Sequence, residues 1–314
     1  MTSTAIEDRE AASASSAAAS DPLEAKARLQ RRVALVTVGL PMVGTVAAVA
    51  IAAVYGIGWL EIGLLAFMYV LTSFGVEVGM HRFFSHHAFK AGPVMTTIIG
   101  ALGSMGAQGP VLFWAAVHRK HHAFTDRPGD PHSPKLHGSG LINGLRGWWH
   151  AHVGWLFVVD DTDWSKYVPD LFRDRLIFQL NQLYAVFVLA GLALPAALGG
   201  LIAGSWAGAG LGLLWGGFVR IFLVDQFTWS VNSFAHLFGR QPHNTRSNSR
   251  NLAWLSLPTI GGGWHNNHHA YPALARTSQS LWQLDPGGWS IELLAALGLV
   301  SDVRRPKARR GAAG

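Results

Sequence analysis

The chain has 314 residues, half of them hydrophobic and only 14% charged, with 36 glycines and a net charge of +7. It contains no cysteine, which excludes disulfide frameworks, thiolate metal sites and cysteine nucleophiles. A composition this apolar is typical of a membrane protein, and a basic surface facing a bilayer accounts for the charge without any nucleic acid.

In chain order, residues 1–30 are rich in Ala and Ser and carry acidic residues but no apolar run, so they read as a disordered tail rather than a signal peptide. Residues 31–303 read as one membrane domain. Within it, four stretches, about 33–55, 60–79, 176–198 and 201–222, each offer the ~20 mostly apolar residues that cross a bilayer. The fourth continues as a helix toward His236. Residues 94–113 are also apolar but are broken by Gly100, Gly103, Gly106, Gly109 and Pro110. This stretch reads as a helix that only dips into the interface, because a fifth crossing would separate the histidine clusters described below. Residues 304–314 form a basic tail. The links between the first and second spans and between the third and fourth contain no Lys or Arg; all 25 basic residues lie elsewhere. The positive-inside rule then places both termini, the long middle segment and the C-terminal third in the cytosol. The expected fold is an all-α integral membrane protein with four transmembrane helices and a cytosolic helical cap.

Nine histidines stand in four short clusters: His81-Arg-Phe-Phe-Ser-His86, His118-Arg-Lys-His-His122, Asn232-Ser-Phe-Ala-His236 and His265-Asn-Asn-His-His269. His118, His121 and His122 fall at i, i+3 and i+4, which face the same way on a helix, and His265, His268 and His269 repeat the spacing. His81 and His86 bracket one and a half turns at the end of the second span. A lone histidine is more often a satisfied polar residue than a ligand. Two triads with ligand-facing spacing and two further clusters on one membrane side are another matter. Nine imidazoles exceed what one ion of four to six ligands needs, so the count points to two metals in the cap.

The strings HRFFSH, HRKHH, NSFAH and HNNHH resemble the histidine boxes of the membrane fatty acyl desaturases, the stearoyl-CoA desaturase family. The resemblance covers about residues 30–300 and includes Gly129-Asp-Pro-His132, His152-Val-Gly-Trp155 and Thr228-Trp229. It implies four transmembrane helices, a cytosolic cap and a non-haem di-iron centre. The implied ligands are His81, His86, His118, His121, His122, His236, His265, His268 and His269, with Asn232 holding a metal through water. Iron suits the implied chemistry because removing hydrogen from an unactivated methylene needs a redox metal, and zinc is not one. O2 is the implied co-substrate, and a cis double bond, expected at the delta-9 position of a long-chain acyl group, is the product. By the same resemblance Tyr69, Ser73, Gln108, Trp114, Thr228 and Trp229 line a bent substrate tunnel. Asp130, His132 and His152 are expected beside the ligands, fixing their tautomers. Arg82 and Arg119, inside the boxes, are expected to orient carboxylates or phosphates. His87, His137, His150 and His243 read as surface or cap residues. Arg220 and Asp225, in or near the fourth span, read as functional groups at membrane depth or as residues of the cytosolic interface.

The family's acyl-CoA enzymes carry an Arg-Asp pair before the second box, where this chain has Ala115-Ala-Val117. The acyl carrier therefore stays open between CoA, acyl carrier protein and a membrane glycerolipid. No His-Pro-Gly-Gly segment of a fused cytochrome b5 is present, so a separate ferredoxin or cytochrome b5-like protein is expected to supply electrons. The expected location is a bacterial plasma membrane. Two rivals share part of the pattern. A membrane di-iron hydroxylase of a lipid would use the same boxes, whereas a metal transporter would place its ligands near the bilayer midplane.

Overall fold

The computed structural model describes residues 22–159 and 162–306. Four helices in it are long and apolar enough to cross a membrane: 23–55, 59–85, 184–203 and 206–236. We label the elements that position the site α1 (Pro22–Tyr55), α2 (Trp59–Ser85), α3 (Pro93–Met105), α4 (Val111–Phe124), α5 (Leu141–His152), α6 (Arg175–Gln182), α7 (Tyr184–Ala203), α8 (Trp206–His236), α9 (His265–Ala270) and α10 (Pro286–Ala296). Large apolar side chains on α1, among them Val33, Leu35, Val36, Val43 and Val46, are exposed along its length. Such a surface suits lipid, since the helix satisfies its own backbone.

Three boundaries differ from the sequence expectation. Residues 22–30, expected in a disordered tail, are the first turns of α1. Pro22 opens the helix, Glu24 sits in its first turn and pairs with Arg28 at 3.1 Å, and the Gln30 amide donates to the Leu156 carbonyl at 3.3 Å. The rest of that tail, residues 1–21, lies outside the described residues. The third span starts at Tyr184 rather than at residue 176. The preceding α6 is a separate helix, capped by Asp174, whose carboxylate accepts from Leu176 and Ile177 N–H. Its polar Asn181 accepts from Leu112 N–H at 2.9 Å, which holds α6 against the start of α4 instead of in line with α7. Finally, the basic tail expected from residue 304 is docked at its start. Arg304 N–H donates to the Ala88 carbonyl at 2.8 Å and Arg305 pairs with Glu292; residues 307–314 lie outside the described residues.

The apolar stretch after α2 forms α3, only 13 residues long, followed by a break at Gly106–Pro110 and then α4. At 1.5 Å per residue α3 reaches ~20 Å, too short to cross a bilayer. It lies against the end of α2, where a Cβ on Gly75 would collide with the backbone of Leu102 and Gly103. This contact between glycines lets the two helices approach closely and fixes where the first histidine pair emerges. Arg220 braces the other side. Its buried guanidinium donates to the carbonyls of Gly191 on α7 at 2.7 Å, Gly216 on its own helix at 3.1 Å, and Met105 on α3. Arg220 is thereby satisfied as a strut, with Asp225 buried one turn further along.

The C-terminal third is tied to the end of α2 by a second buried guanidinium. Arg82, 2% exposed, lies 3.0 Å from Glu77 Oε1 and 2.8 Å from Asp285 Oδ1, and donates to the Ala275 carbonyl at 2.7 Å. A two-residue antiparallel pairing, β1 (Lys90–Ala91) with β2 (Val300–Ser301), closes the same seam, with Lys90 opposite Ser301. Removing one member of a buried ion pair costs about 3–5 kcal/mol because the other charge stays desolvated. Arg82→Ala should therefore lower the thermal unfolding midpoint of the purified protein sharply, while Arg305→Ala, which breaks only an exposed pair, should leave it unchanged; thermal scans of both variants check this.

Candidate metal centre and adjoining cavities

The four clusters meet at one end of the helical bundle. Residues 75–85 of α2 wind as a π-helix. A wider turn brings positions i and i+5 onto nearly the same face, so His81 and His86 turn inward together, their ring centroids 5.1 Å apart. His118, His121 and His122 project from α4, His236 ends α8, and His265, His268 and His269 ride on the six-residue α9.

The nitrogens sort into two groups. His81, His86, His118 and His268 offer ligand atoms within 4.8 Å of one another, and so do His121, His236, His265 and His269. Each group draws on three chain segments, and α4 and α9 contribute to both. His122 stands between them: its Nε2 is 2.9 Å from His268 Nε2 and its ring stacks on His269 at 4.5 Å. Other Nε2–Nε2 separations are 3.1 Å for His81–His268, 2.7 Å for His86–His118, 2.9 Å for His236–His265 and 3.0 Å for His265–His269. Nitrogens bound ~2.1 Å from one ion at right angles stand ~3 Å apart, so these separations match ligands around a cation.

Carboxylates behind the rings set their tautomers. His121 Nδ1 lies 2.9 Å from Asp130, His236 Nδ1 3.1 Å from Asp126 and His81 Nδ1 3.1 Å from Glu77, the last with poor hydrogen-bond alignment. A ring whose Nδ1–H donates to a carboxylate presents the Nε2 lone pair inward. His121 Nε2 is buried with no hydrogen-bond partner, as a nitrogen awaiting a cation would be. Burial first, and then the neighbouring imidazoles, hold His86, His118, His122, His265, His268 and His269 well below the ordinary histidine range. These rings are neutral at pH 7 and their lone pairs are available. Burial alone would raise Asp126 and Asp130, but His236 and His121 respectively outweigh it and keep both carboxylates ionised. The residues present therefore suit two cations in a nitrogen-only setting.

Of the residues expected beside the ligands, Asp130 contacts His121 directly. His132 stacks on His121 at 4.4 Å, and burial pushes its imidazole down to about 3. His152 is placed elsewhere. It bonds Ser233 Oγ at 3.0 Å and Gln226 Oε1 at 3.1 Å on α8, stacks on Trp148, and has no hydrogen bond or ring contact with any of the nine histidines. Glu77 and Asp126 were missed by sequence reasoning. Glu77 had a signal, being a carboxylate four residues before His81 in an apolar span. Asp126 adopts φ +56°, a conformation rare outside glycine, which lets one carboxylate accept from His236, Ser133 and the Asn248 N–H. Also missed were Asn266 and Asn267, both buried between the α9 histidines. Their N–H groups donate to Asn251 Oδ1, and the Asn267 amide donates to the Thr277 carbonyl, which fixes the short helix. Arg119 braces the cap, pairing with Asp170 and donating to the Phe84 and Ser85 carbonyls. His87 reaches Asp170, His137 packs on His150, and His243 reaches Gln279, all away from the two groups.

Two cavities adjoin the clustered histidines, and a third adjoins the second. The first, about 620 Å³, is walled by His81, His118, His121 and His265 at one side and by Ser73, Val76, Phe227 and Pro258 at the other. The second, about 540 Å³, shares Trp114, His118, Thr228 and Asn232 with it and adds Gln108 and Trp229. The third, about 680 Å³, shares Val117 and Trp155 with the second and is lined further by Lys120, His150, Val158 and Val159. Five of the six expected tunnel residues thus line these cavities. Tyr69 stands just behind, its hydroxyl donating to the Pro258 carbonyl at 2.6 Å and its ring edge-on to Phe227.

Comparison with known proteins agrees with this geometry. The family model for fatty acid desaturases matches residues 57–283. The chain is 48% identical over 272 residues to the hex-5-enoyl-[acyl-carrier protein] acetylenase of Moorena producens, covering 86% of this chain and 85% of that one. It is 36% identical to the sn-1 stearoyl-lipid 9-desaturase of Synechocystis, covering 79% and 73%, and 34% identical to the sn-2 palmitoyl-lipid 9-desaturase of Nostoc, covering 83% and 87%. The chain belongs to the fatty acid desaturase family of membrane oxidoreductases that act on fatty acyl chains.

Proposed function

We propose that the chain uses O2 and two electrons to introduce a cis double bond, at the delta-9 position, into a long-chain acyl group beside two histidine-held irons. The observation that carries this reading is that a single apolar cavity is walled by imidazoles of both groups, His81 and His118 from the first, His121 and His265 from the second. A methylene chain lying there would face both cations. His81, His86, His118 and His268 would hold one iron, joined by His122, whose Nε2 is 2.9 Å from that of His268; His121, His236, His265 and His269 would hold the other, with Asn232, on the wall of two cavities, supporting a water. When bound, the iron pair would supply the reduction of O2 to water coupled to removal of two hydrogens from adjacent carbons; two electrons and two protons complete the balance. The protein's own groups do the rest. Glu77, Asp126 and Asp130 orient the imidazoles. Trp114, stacked on His118 at 5.0 Å and donating to Gln108 at 3.3 Å, and Thr228 bend the passage at the point of oxidation. The apolar walls keep bulk water from the acyl chain.

Electrons would come from a ferredoxin or cytochrome b5-like donor. The distribution of basic residues supports cytosolic termini and a cytosolic site in a bacterial plasma membrane. Relatives named for acyl-carrier-protein and lipid-linked substrates support either carrier, and the 48% identical acetylenase makes an enoyl chain a necessary test substrate.

The deciding experiment offers the reconstituted enzyme, with reduced ferredoxin and O2, stearoyl and oleoyl chains on CoA, carrier protein and glycerolipid. A cis-monoene lost in His121→Ala supports the reading; a hydroxylated chain as the main product from every carrier refutes it. Two predictions accompany it. Asp130→Ala should lower iron affinity about 10–100-fold, read by chelator competition, with Glu24→Ala, in an exposed pair at the start of α1, as an unchanged control. Tyr69→Ala, which removes the ring packed behind Pro258 and Phe227, should enlarge the first cavity and shift product distribution toward longer chains, read by mass spectrometry; an unchanged chain-length preference contradicts it.

A further inference from the structure

We propose that α5 is a monotopic helix whose Leu141, Ile142, Leu145 and Trp149 edge enters the headgroup layer of the bilayer and sets the mouth of the acyl passage at the membrane surface. The inference rests on the passage reading above and goes beyond it by naming where acyl groups enter. α5 belongs to the middle segment that the sequence assigns to an aqueous cap. Its inner face, Gly147, Ala151 and His152, is buried, and Trp148 packs on Phe234. Its outer face is apolar yet uncovered: the four residues of the edge are 57–81% exposed. They recur at i, i+1, i+4 and i+8, one stripe of a helix. Exposed Arg146 lies beside the stripe, where a long cationic stem can run along lipid and keep its charge in water.

The spans give the level of this stripe. A hydrocarbon core takes ~20 helical residues, so counting from Tyr55 it ends near Val36 on α1, and counting from Trp206 it ends near Asp225 on α8. Both ends coincide with the contacts of α5 and the turn after it. His152 bonds Gln226 of α8. The Gln30 amide reaches the Leu156 and Val158 carbonyls, and Thr37 shares the second cavity with Leu156. α5 therefore meets the transmembrane bundle where hydrocarbon gives way to headgroups. Trp149 is the kind of residue that settles there. The third cavity is lined by Trp155, Val158 and Val159 of the same turn, together with Lys120, Asp130 and His150, so an acyl chain would reach it from the leaflet beside α5.

The absence of native cysteine makes the test clean, since a single introduced cysteine carries the only label. Nitroxides at Ile142→Cys and Leu145→Cys, in the full chain reconstituted into phosphatidylcholine–phosphatidylglycerol vesicles, are compared with Val43→Cys on the lipid face of α1 and Asn244→Cys in the exposed loop before α9. The ratio of relaxation by O2 to relaxation by an aqueous nickel chelate should be several-fold above that of Asn244→Cys and approach that of Val43→Cys. A ratio equal to that of Asn244→Cys overturns the proposal. A ratio that rises only when an acyl carrier protein is added also overturns it, in favour of a protein partner. Acyl product measured in the same vesicles reports separately on the reaction, so loss of either reading is recognised independently.

Discussion

Nine imidazoles packed with Nε2 atoms as little as 2.7 Å apart form an arrangement that neutral rings do not favour by themselves. Several of the lone pairs face one another across distances suited to a shared cation, and burial disfavours protonation as an escape for His86, His118, His122, His265, His268 and His269. The rest of the molecule is organised around holding that arrangement. The wide π turn of α2 aims His81 and His86 together. The Arg82 link to Glu77 and Asp285 binds the segment carrying α9 to the end of α2. The Asn251–Asn266–Asn267 network steadies a helix too short to hold its own register.

This arrangement also explains why polar groups concentrate at one end of an otherwise apolar bundle. Asp126 and Asp130 each spend a buried carboxylate on a histidine Nδ1, Glu77 lies beside a third, and each also accepts from a backbone N–H, a hydroxyl or a guanidinium. A buried carboxylate with only an imidazole as partner would be poorly satisfied; with several donors it holds the ring in one orientation. The two cavities beginning at these rings expose more apolar than polar surface, and under the proposed function the acyl chain would lie in them beside the metals.

Much of this was legible in the sequence, because histidine spacing and hydropathy are local signals. The boxes fell at helical spacing, four apolar runs corresponded to four candidate spans, and the glycine-broken run formed a helix too short to cross. What escaped depends on contacts between distant segments. The third span was placed eight residues early because hydropathy does not register that Asn181 is committed to α4. His152 looked like a ligand's neighbour by its place in the chain, but the turn of α5 carries it onto α8. Asp126 and the two asparagines of the last box carry no periodic signal, and their role exists only once segments more than 100 residues apart in the case of Asp126 and His236 have met. The exposed stripe on α5 was hidden for a different reason: a 12-residue amphipathic helix in a charged segment reads as a cap element until its buried face is known.

The most direct test of a two-iron, all-nitrogen centre is metal analysis of the purified chain combined with iron X-ray absorption. Two irons per chain, each surrounded by imidazole nitrogens with at most a water oxygen besides, is the predicted result. A single metal per chain, or carboxylate oxygens dominating the coordination, would contradict it.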